Sequence, residues 1–89
     1  MRLNPEFIEQ KVGSSTMLIP IGKAAKEYRG IIQLNETAAF IVSCLKKNTS
    51  VEQICVRLGE EYNGTEADFK ASTELTLQRL REAHALIEP

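Results

Sequence analysis

The first part of the chain alternates between apolar and polar residues with a period of two, which is typical of β-strands. Two such segments, Phe7–Val12 and Thr16–Ile21, flank a Gly-Ser-Ser sequence at residues 13–15 that predicts a hairpin loop. Pro20 cannot donate a backbone hydrogen bond, so it marks an edge position, a bulge or the end of the second strand. These residues therefore predict an antiparallel hairpin.

A polar segment at residues 22–27 predicts a loop, and Tyr28–Leu34 predicts a third strand. In this strand Gly30 marks a bulge or a close approach of another backbone. The alternation places Ile32 and Leu34 on one face of the strand and Arg29, Ile31 and Gln33 on the other. The third strand thus has one apolar face and one mixed face.

From Asn35 onward the apolar period lengthens to that of an α-helix, and three helices are predicted. Each begins at a side chain that can accept a hydrogen bond from the first helical turn. Asn63-Gly64 ends the second helix, and the third is the longest and extends to about Ile87. The predicted N-caps are Asn35, Ser50 and Thr65.

The third predicted helix has two faces with apolar residues. The first face contains Phe69, Thr73, Thr76, Leu77, Leu80, His84 and Ile87. The second, shifted face contains Leu75, Arg79, Glu82 and Leu86. From the pattern alone, Leu75 and Leu86 on this second face can complete a small core.

Strands followed by helices predict an α+β fold, here a three-stranded antiparallel sheet followed by three helices in a winged helix-turn-helix-like arrangement. With 89 residues, 43% of them apolar, residues 1–89 are expected to form a single domain. A core of this size leaves a net stability of roughly 3–5 kcal/mol. A buried catalytic cavity would lower that stability, so the size favours a surface binder over an enzyme.

No catalytic constellation accompanies this pattern. Ser14 and Ser15 are explained by the turn, and the single His84 is expected to be a partly buried packing residue or a partner of a helix C-terminus. Cys44 and Cys55 are expected to be buried free thiols, with a disulfide or a metal pair as the alternative. With one His in the chain a standard zinc site is disfavoured. We therefore expect no enzyme activity, no metal and no cofactor.

Several short segments together resemble the PqqD family. Residues 30–39 are Gly-Ile-Ile-Gln-Leu-Asn-Glu-Thr-Ala-Ala, where a strand runs directly into a capped helix, and the Leu-Asn-Glu-Thr-Ala junction is the usual hallmark of that family. The closing segment at residues 85–87, Ala-Leu-Ile, is similar to the family's glycine-leucine-hydrophobic element, with Ala85 where Gly is more typical. The likeness extends from about Leu3 to Ile87.

The resemblance implies a non-catalytic peptide chaperone. In that family the leader of a ribosomally made precursor peptide adds as a further strand to the open edge of the third strand, in a groove closed by the third helix. Main-chain hydrogen bonds then provide affinity, and side-chain pockets provide specificity. The implied partners are the leader and a modifying enzyme of the radical S-adenosylmethionine class, in the synthesis of pyrroloquinoline quinone (PQQ) or of another modified peptide. The implied peptide-binding residues are Tyr28, Arg29, Gly30, Ile31, Ile32, Gln33, Leu34, Leu75, Arg79, Glu82 and Leu86.

The main alternative is a winged-helix DNA-binding regulator, since a strand wing and three helices give a similar coarse pattern; a small enzyme is a third possibility. The net charge of −1 disfavours binding to phosphates. So does the second helix, whose single basic residue Arg57 is outnumbered by Glu52, Glu60 and Glu61. No nucleic-acid partner is therefore expected.

The chain has no run of about 18 apolar residues and no apolar signal core after Arg2. We expect a cytoplasmic protein without a membrane partner. An exposed edge strand can also pair with a second copy, which would give a homodimer.

Overall fold

The computed structural model describes residues 1–28 and 30–88, and it confirms the α+β fold with an antiparallel sheet followed by helices. Strands β2, β3 and β4 form the three-stranded sheet, with β3 in the centre. The strands are β1 (Arg2–Leu3), β2 (Phe7–Val12), β3 (Ser15–Pro20), β4 (Ile32–Leu34) and β5 (Leu86–Ile87). The helices are α1 (Gly22–Glu27), α2 (Glu36–Cys44), α3 (Val51–Glu61) and α4 (Glu66–Glu82). No helix among these residues has both the length and the apolar character needed to cross a bilayer.

One face of the three-stranded sheet packs against the helices. Leu18 of the central strand is fully buried, and Ile32 and Leu34 of β4 are buried beside it, which confirms the predicted inward face of that strand. The helical side of this core includes Ala38, Ile41, Val42, Leu77 and Leu80. Since full burial of a Leu or Ile side chain contributes about 1.5–3 kcal/mol, this contact holds the edge strand close to the helices.

The three predicted N-caps are confirmed. Asn35 Oδ1 accepts a hydrogen bond of 2.8 Å from an amide in the first turn of α2, and Ser50 Oγ accepts one of 3.2 Å at the start of α3. At the start of α4, Thr65 and Asp68 bond each other's backbone amides in a complete capping box. Each cap contributes about 1 kcal/mol. Because Asn35 directly follows β4, its cap also fixes how α2 leaves the sheet.

The prediction of a loop at residues 22–27 is wrong, because these residues form α1. Ala24 is its buried residue, so the helix has no apolar stripe that a pattern could reveal. The first turn is supported by Glu6, whose Oε2 accepts a hydrogen bond of 3.2 Å from the N–H of Lys23. Gly22 begins the helix with a φ of 59°, a conformation that glycine adopts without steric cost. The capping carboxylate lies 17 residues from the amide, so no local signal predicts this helix.

The predicted third strand over residues 28–34 is wrong at its N-terminal end, because β4 begins at Ile32. Tyr28 instead caps the end of α1, and its N–H donates a hydrogen bond of 2.9 Å to the Ala24 carbonyl. Arg29 lies outside the described residues. Tyr28 thus ends the helix instead of beginning the strand.

The third predicted helix also ends earlier than expected, since α4 stops at Glu82. His84 adopts a left-handed φ of 60°, and its N–H donates a hydrogen bond of 3.0 Å to the Arg81 carbonyl. The next amide, of Ala85, donates one of 2.8 Å to the Leu80 carbonyl. These are the two hydrogen bonds of a Schellman motif. His84 is therefore exposed at the C-terminus of α4, so of its two predicted roles that of a partly buried packing residue is wrong.

The residues after this turn form strand β5. Leu86 pairs with Leu3, and Ile87 pairs with Arg2 in the two-stranded sheet of β1 and β5. The Leu3 N–H also donates a hydrogen bond of 2.8 Å to the Leu45 carbonyl at the end of α2. Two-residue strands have no measurable period, so the sequence could not distinguish them from the end of a helix.

We expect His84→Gly to stabilise the fold. A residue with a Cβ atom pays about 1 kcal/mol or more for left-handed backbone, whereas glycine adds about 0.5–1 kcal/mol of chain entropy to the unfolded state. The net gain should be about 0.5 kcal/mol, visible as a higher midpoint in urea unfolding. Ala85→Gly is the control, since it removes a buried methyl group at a position without left-handed backbone and should lower the midpoint. A lower midpoint for His84→Gly would contradict the prediction.

Candidate functional site

Strand β4 is an open edge of the three-stranded sheet, since its strand neighbour among the described residues is β3 alone. Hydrogen-bonded pairs alternate along antiparallel strands. The Ile21 N–H donates a hydrogen bond of 2.7 Å to the Glu6 carbonyl, so the backbone groups of Ile21, and of every second residue before it in β3, point toward β2. Leu18 lies between these positions, and its N–H and C=O groups therefore point toward β4. The pairing of β3 with β4 then turns the N–H and C=O groups of Ile31 and Gln33 away from the sheet. These outward groups are available to a further strand.

A groove of about 180 Å³ lies between this edge and the end of α4. Ile31 is 56% exposed, so an apolar side chain lies uncovered beside the outward backbone groups. On the strand side the groove is lined by Tyr28, Ile31 and Ile32, and on the helix side by Arg79, Glu82 and Ala83. The ring centroid of Tyr28 lies 6.4 Å from that of Phe7, a contact that ties this wall of the groove to the core.

Arg79 connects α4 to the edge strand. Its Nη2 donates a hydrogen bond of 2.9 Å to the Gln33 carbonyl, which is consistent with that carbonyl pointing away from β3. Glu82 accepts a hydrogen bond of 3.2 Å from Gln78 Nε2, and neither of the two ion pairs among the described residues includes Arg79. The groove therefore contains a cation whose hydrogen-bond partner is a neutral carbonyl.

Most of the residues that the resemblance implied for peptide binding lie at this groove. Tyr28, Ile31, Ile32, Arg79 and Glu82 line it, and Gln33 lies at its edge. Leu34 is buried on the inner face, and Gly30 is exposed just before the strand. Arg29 is outside the described residues. Ala83 also lines the groove and was not predicted, because a small apolar residue at a helix end has no distinctive sequence signal.

Leu75 and Leu86, which were predicted on one helix face, have different surroundings. Leu75 is 66% exposed on α4, one turn before Arg79, so it does not complete the core. Leu86 is half-buried in β5, packs against the core and does not line the groove. Its predicted position on the helix is wrong, because α4 ends at Glu82.

A second and larger hollow, of about 450 Å³, lies between α3 and the start of α4. Val51 and Cys55 of α3 are only half-buried and line it together with the exposed Val56. It shares no lining residue with the groove beside β4. The two are separate surface features.

Both cysteines are free thiols, as expected. Cys44 is buried, and this burial raises the pKa of its thiol, which keeps it protonated and unreactive. Cys55 is half-buried instead of buried, with its Sγ 3.9 Å from Thr73 Oγ1. In residues 1–28 and 30–88, no three Cys, His, Asp or Glu side chains come together as metal ligands would.

A model of the family described as coenzyme PQQ synthesis protein D (PqqD) matches residues 17–86. The chain belongs to the PqqD family. The resemblance deduced from several segments of the sequence is thereby confirmed, and the match includes β4 and all of α4. No curated protein matches the chain.

Two solved structures are similar to this PqqD-family chain over nearly its whole length. TbiB1 in complex with the TbiA(beta) leader peptide is 15% identical, with a TM-score of 0.79, and the match covers 100% of this chain and 98% of that one. Lasso peptide synthetase B1 complexed with the leader peptide is 25% identical, with a TM-score of 0.76 and coverage of 98% and 96%. The shared fold thus extends to the terminal strands, beyond the residues that the family model matches.

Proposed function

We propose that this chain binds the leader of a ribosomally made precursor peptide as an added strand along β4 and presents it to a modifying enzyme, without chemistry of its own. The observation that carries the proposal is the open edge with outward backbone groups beside the groove at α4. Membership of the PqqD family and the leader peptides bound in both similar structures support it.

Affinity in this mechanism comes from the backbone. The outward N–H and C=O groups of Ile31 and Gln33 pair with the peptide main chain, and such hydrogen bonds are insensitive to peptide sequence. Successive peptide side chains point to opposite faces of the extended sheet, so alternate ones meet α4. On that side Tyr28, Arg79 and Glu82 provide the contacts that distinguish one leader from another.

The surface charge gives no support to the alternative of a DNA-binding regulator. In a winged helix the second helix of the motif would enter the major groove, and α3 corresponds to it. Its exposed residues include Glu52, Glu60 and Glu61. Arg57, the single basic residue of α3, lies over the ring of Phe40 at 5.5 Å from the centroid. Phosphates would be repelled from such a helix, so a peptide is the favoured ligand.

The modifying enzyme is the second proposed partner. The family resemblance favours a radical S-adenosylmethionine enzyme, whereas one similar structure is described as lasso peptide synthetase B1. Co-expression of this chain with candidate enzymes of both classes, followed by affinity purification with and without leader peptide, distinguishes them. We expect one class to be retained on the column, and more strongly when the leader is present.

Mapping of the bound leader by solution NMR tests the proposed site. On titration with the cognate leader, we expect the largest amide shifts at residues 30–34 and along the C-terminal half of α4. Shifts that cluster on α3 or β2 instead would show that the groove is not the binding site.

The substitution Leu75→Glu tests the same binding site by mutation. Even a neutral polar group placed in an apolar contact without a partner costs about 1–3 kcal/mol, and a charge costs more. Affinity measured by calorimetry should therefore fall about tenfold or more. Val56→Glu is the matched control, because Val56 is similarly exposed, at 64% against 66%, but lies on α3 away from the groove. Equal losses of affinity in the two variants would contradict a specific role for α4.

A further inference from the structure

The guanidinium of Arg79 is hydrogen-bonded to a backbone carbonyl with which an added strand would pair. Its Nη2 lies 2.9 Å from the Gln33 carbonyl oxygen, which points outward from β4. A strand paired along this edge would use the same oxygen as the acceptor for one of its own N–H groups. The arginine and the incoming peptide therefore compete for one carbonyl.

Arg79 also lacks the stronger partner that its helix position offers. Glu82 lies three residues further along α4, a spacing at which side chains can form an ion pair. Its carboxylate accepts a hydrogen bond from Gln78 instead, and no ion pair among the described residues includes Arg79. A carboxylate adds the attraction of an opposite charge and can accept two parallel hydrogen bonds from a guanidinium, whereas the neutral Gln33 carbonyl accepts one from Arg79. A carboxylate brought in by a ligand would therefore be a better partner than the Gln33 carbonyl.

We propose that Arg79 is a specificity-determining residue that selects leaders with an Asp or Glu side chain at one position, an inference that rests on the proposed function and deepens it. When Arg79 turns to the leader carboxylate, it releases the Gln33 carbonyl to the leader backbone. The ion pair and the new main-chain hydrogen bond thus form in the same step.

The geometry of an added strand also predicts which position of the leader holds the acidic residue. The peptide residue that pairs with Gln33 has its side chain on the same face as Gln33, away from α4. The side chains that face α4 belong to its two neighbours, so the acidic residue is one of these. Glu82 lines the same groove and repels further negative charge nearby. One carboxylate is therefore preferred over an acidic run.

The test uses random peptides of about ten residues, the length of a long strand, displayed on phage and selected against the whole protein and two charge-reversed variants. Arg79→Glu reverses the charge at the groove. Lys70→Glu makes the same change on the same helix, but Lys70 is exposed at the hollow beside α3. We expect Asp or Glu at one fixed position in peptides selected by the wild type and by Lys70→Glu. Peptides selected by Arg79→Glu should have Lys or Arg there.

A double-mutant cycle with one selected acidic peptide measures the coupling. Arg79→Gln should weaken binding about tenfold, and so should replacing the peptide carboxylate by its amide. Combining the two changes should cost little more than either alone, because both remove the same ion pair. Arg79 is exposed, so the variants are expected to fold, which circular dichroism verifies.

The outcomes separate this inference from the proposed function. Peptides that shift the amides of Ile31 and Gln33 but show no acidic preference would overturn the role of Arg79 and leave the added-strand mechanism standing. Peptides that bind elsewhere on the protein, or a selection that enriches none, would overturn both. An acidic preference that Arg79→Glu reverses and Lys70→Glu retains would establish the role.

Discussion

Ile31→Pro is expected to abolish binding of the leader while the fold stays intact. Proline has no backbone N–H, and its ring obstructs the approach of a further strand. The N–H of Ile31 points away from β3, so its loss removes no hydrogen bond within the sheet. We expect affinity to fall by at least about two orders of magnitude, below the level that calorimetric titration detects, since the change removes a main-chain hydrogen bond and adds a steric clash.

Lys11→Pro is the matched control for this substitution. Lys11 lies in β2, at the opposite edge of the same sheet, and the same alternation turns its N–H outward. It is exposed, so both variants place proline at an exposed position with an outward amide. Calorimetric titration should detect binding to Lys11→Pro and none to Ile31→Pro. Wild-type affinity in a folded Ile31→Pro variant would mean that the leader does not add to β4.

Leu58→Ala is expected to have the largest effect on stability. Leu58 lies on α3 and is completely buried, and removal of a buried Leu side chain costs about 2–5 kcal/mol because of lost burial and the cavity left behind. A core of this size has a net stability of roughly 3–5 kcal/mol. We therefore expect a large loss of helical signal at room temperature, and a much lower midpoint in urea unfolding followed by far-UV circular dichroism.

Val56→Ala provides the comparison on the same helix. Val56 is 64% exposed, so its truncation should change the free energy of unfolding by no more than about 0.5 kcal/mol. If Leu58→Ala were as mild as Val56→Ala, α3 could not be packed against α2 and α4 as it is in the structure.

The strand and helix types, the inward face of β4 and the three N-caps could be predicted from the sequence because each depends on neighbouring residues. The change of period at Asn35 marks the junction of β4 and α2, and the side chains of Asn35, Ser50 and Thr65 cap amides only three residues away. The resemblance to the PqqD family came from that same junction together with later segments of the chain. Local hydrogen bonds and side-chain periodicity were sufficient for all of these features.

The remaining parts of the fold depend on residues that are distant in the sequence. Helix α1 is supported by a contact between Lys23 and Glu6, and β5 exists because the end of the chain meets β1. The end of α4 depends on the left-handed backbone of His84, at a position where Gly or Asn is the usual sequence signal. In each case the local pattern was compatible with another structure, and long-range pairing or backbone geometry selected the observed one.

In the groove, too, some features follow from the local sequence and others from the tertiary structure. The sequence by itself determined that Ile32 and Leu34 share one face of the edge strand. It also determined that Leu75, Arg79 and Glu82 share a face of the last helix. Both features follow from the period of the element. Only the tertiary structure decided that Leu75 is exposed while Leu86 joins another strand. The bond between Arg79 and Gln33 joins residues 46 positions apart. Which outward backbone group that side chain reaches depends on how α4 packs beside β4, and no local pattern contains that information.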